Sequence, residues 1–366
     1  MIITICGDVC PSENNDLFVR GETNVLFHDV PDVFRDSDRV LINLETALTE
    51  QDTPIVKKGP NIKASPQCVK VLKKIGVTDC GLSNNHIFDY GIPGIRDTIQ
   101  AVTEAGFGYT GFGDDYEAAR KNLIMEKDGK KVEIIAVCEH EYSYALEKRM
   151  GARGYDPYDT LEDIRNARKE CDHVIVTYHG GKEQCLYPSP RLRKACQAMV
   201  RSGADVVLCQ HSHCIGCYEE YMGGHILYGQ GNFHFVRTRF RTEEERQQWQ
   251  SGLIVKLHIA DKLEVEYIPV KVAGLGITLA KVEEKAQIMA EFQARSAHLH
   301  DGRWLAEWDR FCQKVRDNYV GNITRVYTEE ARPIDKDIFE GRLHCEAHRD
   351  IIEWLCKHPW EKNIIS

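Results

Sequence analysis

The 366-residue sequence contains no run of 18 or more apolar residues, so it offers no candidate membrane-spanning helix and no membrane partner is expected. It opens as MIITICGD, with no basic stretch and small-residue cleavage site around a hydrophobic segment, and is therefore expected to be unexported and cytoplasmic. An excess of basic residues is missing as well. The formal net charge is -9, and a nucleic-acid partner, which demands a basic face, is not expected. No internal repeat, low-complexity tract or heptad array is visible, and no segment is polar enough to read as disordered. The length exceeds the size at which one core stops growing, which predicts a large domain with a smaller appendage.

Cysteine is plentiful instead, at 14 residues. Several (Cys6, Cys80, Cys138, Cys209) sit inside apolar runs spread over a long chain, so reduced thiols acting as small hydrophobes are expected rather than a disulfide framework. Six short apolar runs have buried-strand character: IITIC from Ile2, RVLINL from Arg39, TDCGL from Thr78, EIIAVC from Glu133, HVIVTY from His173 and DVVLC from Asp205. Helical patterns over 67–75, 95–105 and 190–202 lie between them, and strand–helix alternation predicts an α/β layer architecture. After Gly223 the pattern predicts antiparallel strands without intervening helices, starting at His225, Gly252 and Lys262. From about Lys281 the chain reads as helical, with Trp304, Leu305, Trp308, Phe311, Cys312 and Val315 on one face. The expected division is a sheet domain over 1–272 and a helical subdomain over 273–366.

Ligands in open α/β sheets collect beyond the carboxyl ends of strands. There the sequence places Asp8, Glu45, Asn84-Asn85-His86, His179 and His211-Ser212-His213, each just after an apolar run. One carboxylate after a strand is usually a cap, and one histidine beside apolar residues is usually structural. Five such endings at one topological edge instead suit a pair of divalent transition ions, which want oxygen and imidazole donors with a carboxylate able to bridge. Residues two apart in an extended or turning segment point to the same side, so His211 and His213 can face one cavity and serve neighbouring metals.

The pieces GDVC at Gly7, LINLETALT at Leu41, LSNNHIFDYG at Leu82, TGFGDDYEAA at Thr110, TYHGGKEQ at Thr177, GADVVLCQHSHCI at Gly203 and YGQGNFHF at Tyr228 carry a resemblance. Over about residues 1–270 the chain resembles the CapA family of capsule and poly-gamma-glutamate biosynthesis proteins, whose fold belongs with the calcineurin-like metallophosphoesterases. The resemblance implies an α/β sandwich of mixed sheets flanked by helices, with the helical C-terminal extension left unexplained. It implies that Asp8 binds a first metal, Glu45 bridges, Asn85, His179 and His211 bind a second, and His213 returns to the first. His86 would then be a general acid, with Asp89 holding its tautomer. Cys10 stands where phosphoesterases of this fold carry a histidine and is read as either a thiolate ligand or a bystander, with the bystander reading preferred; Glu45 replaces the usual aspartate.

Lys182, Glu183, Arg191 and Arg237 lie on loops near the expected cavity and are candidate contacts for an anionic substrate, small or polymeric. His140 and His234 are expected near the pocket but off the metals, and Cys214-Ile-Gly-Cys217 reads as structural thiols. Together these features predict a hydrolase using two divalent ions (Mn, Fe or Zn) on a phosphoester or related anionic bond. The alternatives are amide cleavage or transfer on poly-gamma-glutamate, and a non-catalytic capsule-assembly protein; assembly into a homo-oligomer is left open.

Overall fold

All six apolar runs become strands, and they divide between two sheets. The structure, a computed structural model, describes residues 1–361, without the side chains of 358–361. In the first sheet β1 (Ile2–Val9), β2 (Arg39–Leu44), β3 (Asp79–Gly81) and β4 (Gly108–Thr110) run parallel. In the second, β5 (Leu123–Lys127) pairs antiparallel with β6 (Lys130–Cys138), while β6, β7 (His173–His179) and β8 (Val206–Gln210) run parallel. β9 (Tyr218–Tyr221) and β10 (Gly224–Leu227) complete it in the order β9-β10-β8-β7-β6-β5. The chain then returns to the first sheet. There β11 (Asn232–His234) pairs beside β1, and β12 (Ser251–Ile259), β13 (Leu263–Ala273) and β14 (Gly276–Leu279) give the order β14-β13-β12-β1-β2-β3-β4.

Ile3, Ile5 and Leu41 from the first sheet share one buried cluster with Ile134, Ile175 and Leu208 from the second, so the sheets lie face to face. Helices cover the outer faces. α1 (Gly91–Glu104) buries Ile95 and Val102 on the first sheet; α2 (Asp159–Glu170) and α3 (Pro190–Ser202) bury Ile164, Leu192 and Met199 on the second. The helix over 190–202 has the bounds its sequence predicts. Ser189 caps it by accepting from the Leu192 N–H, Pro190 opens it and Gly203 follows it. All 14 cysteines are free, and all but Cys356 are buried.

Two expectations need correction. A helix, α4 (Glu243–Trp249), interrupts the stretch expected to hold strands alone. Its cap is Thr242 and three glutamates fill its first turn, so capping and the helix dipole set it rather than apolar periodicity. The antiparallel reading holds for β12 to β14 and for the pairing of β10 with β9, whereas β10 and β11 also run parallel to β8 and β1. Because β14 continues the sheet to Leu279, residue 273 falls at the end of β13 and not at the start of the helices.

The tail forms α5 (Val282–Asp301), α6 (Trp304–Val326), α7 (Pro333–His344) and α8 (Glu346–Glu361). Trp308, Cys312 and Tyr319 of α6 pack with Ile351 of α8, while Leu305, expected on the same face, is 40% exposed. The tail is fused to the sandwich: Phe292 enters the inter-sheet cluster, and Leu299 and Trp304 join the cluster outside the second sheet. Among the described residues no helix is long and apolar enough to cross a membrane.

Candidate functional site

The carboxyl ends of β1, β2, β7 and β8 meet at one edge. Asp8 is the penultimate residue of β1, and Glu45 follows β2 with its N–H donating to Val9 O at 2.9 Å. His179 ends β7, and the His211 N–H, just past β8, donates to Asp8 Oδ2 at 3.1 Å. Gly7 permits this approach: a Cβ there would stand 2.1 Å from Gly231 O, a collision with backbone that no side chain can relieve.

Two groups of buried donors form, and Glu45 belongs to both: Asp8, Glu45 and His213, and Glu45, His179 and His211. His179 Nε2 stands 3.5 Å from Glu45 Oε1 and 3.1 Å from His211 Nδ1. His213 places Nδ1 3.4 Å from Asp8 Oδ2 and Nε2 3.8 Å from Glu45 Oε1. Donors held about 2.0–2.2 Å from one tetrahedral ion lie roughly 3.3–3.6 Å apart; the His179–Glu45 and His213–Asp8 spacings fall in that range and the other two lie just outside it. Asn85 joins the second group, its Oδ1 3.0 Å from His179 Nε2.

Charge balance supports the same reading. Both Glu45 carboxylate oxygens are buried without a hydrogen-bond partner. An isolated buried carboxylate costs several kcal/mol, which a cation between the two groups would remove. Burial and the neighbouring Asp8 push the Glu45 carboxyl well above its usual range. Burial also opposes ionisation of Asp8, but His213, His179 and Asn43 outweigh it and hold that carboxyl at about 2. Burial lowers His179 and His211 to about 4, leaving them neutral and able to ligate. His213 is raised to about 9 because Glu45 and Asp8 overcome its burial.

Of the extended and turning geometries expected for His-Ser-His, the chain adopts the turning one. His211 and His213 have φ of 88° and 53°, so a turn in the left-handed region aims each ring at a different donor group. Such backbone costs of order 1–3 kcal/mol per residue and persists where the surroundings over-determine it. Trp249 and Phe235 pack the His213 ring at centroid distances of 4.2 and 5.1 Å.

His86 lies beside the centre, nearly buried, with Nδ1 2.7 Å from Asp89 Oδ2, the contact the three-residue offset allowed. Lys57 was not foreseen. Its buried ammonium donates to Asp89 Oδ1 and stands 3.2 Å from His86 Nδ1. Burial first, then the Lys57 charge, keeps the His86 imidazole below its usual value.

Three further groups near the centre escaped sequence reasoning. Asn43 donates to Asp8 Oδ1 at 2.7 Å and sits 3.0 Å from His179 Nδ1. Asn232 Oδ1 lies 2.9 Å from His213 Nδ1. Glu141 Oε2 accepts from Asn85 at 3.1 Å and stands 3.7 Å from His211 Nε2. Glu141 lies just past β6, so the strand-end rule that found the others would have found it in EHEY. Asn43 sits in RVLINL, where it reads as a strand residue.

The expected substrate contacts divide. Lys182 and Glu183 face the centre. Burial opposes both charges, yet Lys182, His211 and His213 hold Glu183 at about 2, while Tyr319 and Glu183 keep Lys182 above its usual value. Arg191 is committed elsewhere, with Nη2 2.5 Å from Glu139 Oε1 and Nε 2.9 Å from Asp350 of α8. Arg237 lies over Trp249 at 4.5 Å and pairs with Glu245 at 3.3 Å, one layer behind His213. His140 binds Glu346, and His234 is buried between Phe18 and Phe27 with neither ring nitrogen bonded. Cys10 lies outside both donor groups, its thiol pushed up to about 12 by burial. The Cys214 and Cys217 thiols are likewise buried and raised.

Comparison with known proteins adds a lineage to this geometry. The chain is 28% identical over 271 residues to the capsule biosynthesis protein CapA of Bacillus anthracis, covering 71% of this chain and 64% of that protein. It is 30% identical over 223 residues to the PGA biosynthesis protein CapA of Bacillus subtilis (strain 168), covering 60% of this chain and 59% of that one. The chain thus spans about three fifths of the length of these two relatives. Among solved structures, a Mycoplasma pneumoniae phosphatase superposes with a TM-score of 0.43 at 13% identity, over 76% of this chain and 90% of that one. Residues 2–237 match the model of the bacterial capsule synthesis protein PGA_cap, and the chain belongs to that family.

Proposed function

We propose that this chain is a metal-dependent hydrolase of an anionic substrate, with a phosphoester as the leading class. The observation that carries the reading is Glu45, whose unpartnered buried oxygens stand in two donor groups at once. Asp8, Glu45 and His213 would hold one divalent ion, and Glu45, His179, His211 and Asn85 a second. Such a pair supplies activation of water and neutralisation of charge on an electrophile.

The chain's own residues do the rest. Asp89 accepts from His86 Nδ1, which leaves Nε2 as the atom through which His86 exchanges a proton with a leaving group. Lys57 neutralises Asp89, so the carboxylate orients the ring without drawing its proton away. Asn43 fixes Asp8 and His179 together, and Glu141 steadies Asn85. A second reading, cleavage or transfer at a glutamyl amide, uses the same centre; the similarity to the PGA biosynthesis protein CapA of Bacillus subtilis (strain 168) favours it.

The test is turnover of p-nitrophenyl phosphate, bis-p-nitrophenyl phosphate and γ-glutamyl oligomers by the metal-loaded full chain. The reading predicts activity abolished by chelation and reduced about 10²–10⁴-fold in His86→Asn, with folding retained. Bound metal with no turnover of any of the three would refute it in favour of a non-catalytic assembly protein.

A further inference from the structure

At the margin of the metal centre the molecule gathers three cations from distant parts of the chain. Lys58 lies on the loop after Lys57, Lys182 three residues beyond His179, and Arg342 on α7 of the tail. The Lys58 N–H donates to Tyr142 Oη at 3.1 Å, and a Cβ on Gly341 would stand 3.3 Å from the same hydroxyl, so α7 passes directly over this loop. Arg342 is 3% exposed. Its Nη atoms donate to Asn318 O and Oδ1, both at 3.0 Å, its guanidinium lies 4.3 Å from the Tyr319 ring centroid, and its buried Nε has no partner.

None of the three is ion-paired with a carboxylate among the described residues, unlike Arg191, Arg193 and Arg237 nearby. Burial first, then the charges of Arg342 and Lys182, brings the Lys58 amine down to about 8, although Glu183 and Glu141 act in the opposite sense. The cluster adjoins the centre through a continuous chain of contacts. Tyr319 Oη lies 2.5 Å from His348 Nδ1, His348 Nε2 lies 3.8 Å from Glu141 Oε1, and Glu141 Oε2 lies 3.7 Å from His211 Nε2. Three cations set against two carboxylates, Glu141 and Glu183, that also face the metal centre, with a vacant donor on the nearly buried Arg342, leave a net positive place for an oxyanion.

We propose that Lys58, Lys182 and Arg342 form an oxyanion subsite beside the metal centre, completed by the C-terminal helices, that holds a carboxylate or phosphate group of the substrate away from the bond to be cut. The inference rests on the reading of the centre as one that acts on an anionic substrate. It gives the tail a role that family membership does not, since the family match ends at residue 237 and Arg342 lies beyond it. Two point charges on flexible stems and one planar fork on a rigid helix suit an extended substrate bearing anionic groups at intervals.

Inorganic phosphate and glutarate, titrated separately into the full chain after chelation, report this subsite alone. The proposal predicts binding of at least one of them, weakened about tenfold in Lys58→Met and in Arg342→Met. Phosphate binding alone assigns the group as phosphoryl, and glutarate binding alone as carboxylate. Lys58 lies on an exposed loop, so Lys58→Met decides the matter even if Arg342→Met fails to fold. In the metal-loaded chain Lys58→Met should raise KM about tenfold with kcat unchanged. Binding of neither anion, or equal affinity in wild type and Lys58→Met, overturns the subsite; loss of turnover with anion binding intact would fault the hydrolase reading instead.

Discussion

Replacing Arg191 by methionine separates a substrate contact from a structural one. The guanidinium donates through Nε to both Asp350 oxygens at 2.9 Å, through Nη2 to Glu139 at 2.5 Å and through Nη1 to Tyr178 Oη at 3.3 Å. Glu139 is 3% and Asp350 8% exposed, and Glu139 Oε2 also accepts from the Ala347 N–H, so this one side chain fastens α8 to the end of the second sheet. Arg191→Met leaves two buried carboxylates without their counter-ion, a loss of about 3–5 kcal/mol. At about 2.1 cal/mol/K per residue, 366 residues give an unfolding entropy near 0.8 kcal/mol/K, so Tm should fall by about 4–6 °C. Calorimetry of the full chain, with limited proteolysis of α8, reads the effect. An unchanged Tm together with a tenfold rise in KM would refute the structural assignment and return Arg191 to the substrate.

The docked tail should also respond to pH. Although burial opposes its charge, Glu346 raises the His140 value above 6.5, so that contribution is complete below 6.5 and is lost as pH rises through the raised value. His140 in turn lowers Glu346 below 4.5 despite burial, a contribution present above 4.5 and lost as pH falls. Protection of α8 against proteolysis should therefore be greatest between about 4.5 and 6.5 and decline above it; protection rising steadily to pH 8 would contradict the pairing. Gly7→Ala forces β1 away from Gly231 and displaces Asp8, so it should lower metal content or prevent folding; a folded, fully loaded variant would show that the 2.1 Å approach is dispensable.

Much of this was legible in the sequence because strand ends are local events. IITICGD, RVLINLE, HVIVTYH and DVVLCQH each announce a buried strand and the polar residue that ends it, and parallel pairing brings those endings to one edge. What pairing does not encode is what packs around them. Lys57 lies on an irregular loop with no periodicity to mark it, and only the fold carries it to Asp89. The turn at His211 and His213 depends on backbone torsions that the motif does not disclose. The tail misled for the same reason: its apolar faces identify helices, yet the contacts that place α8 on the site are polar pairs 159 to 208 residues apart in sequence. Helix α4 was missed because its cap and charges, rather than an apolar stripe, determine it.

The central claim is that one buried carboxylate joins two cation sites. Metal content of the purified full chain, measured by elemental analysis before and after Glu45→Gln, tests it most directly. The account predicts bound divalent metal approaching two ions per chain in the wild type and loss from both sites in the variant. A wild type that binds no metal at any concentration tried, or a Glu45→Gln chain that keeps its full complement, would contradict it.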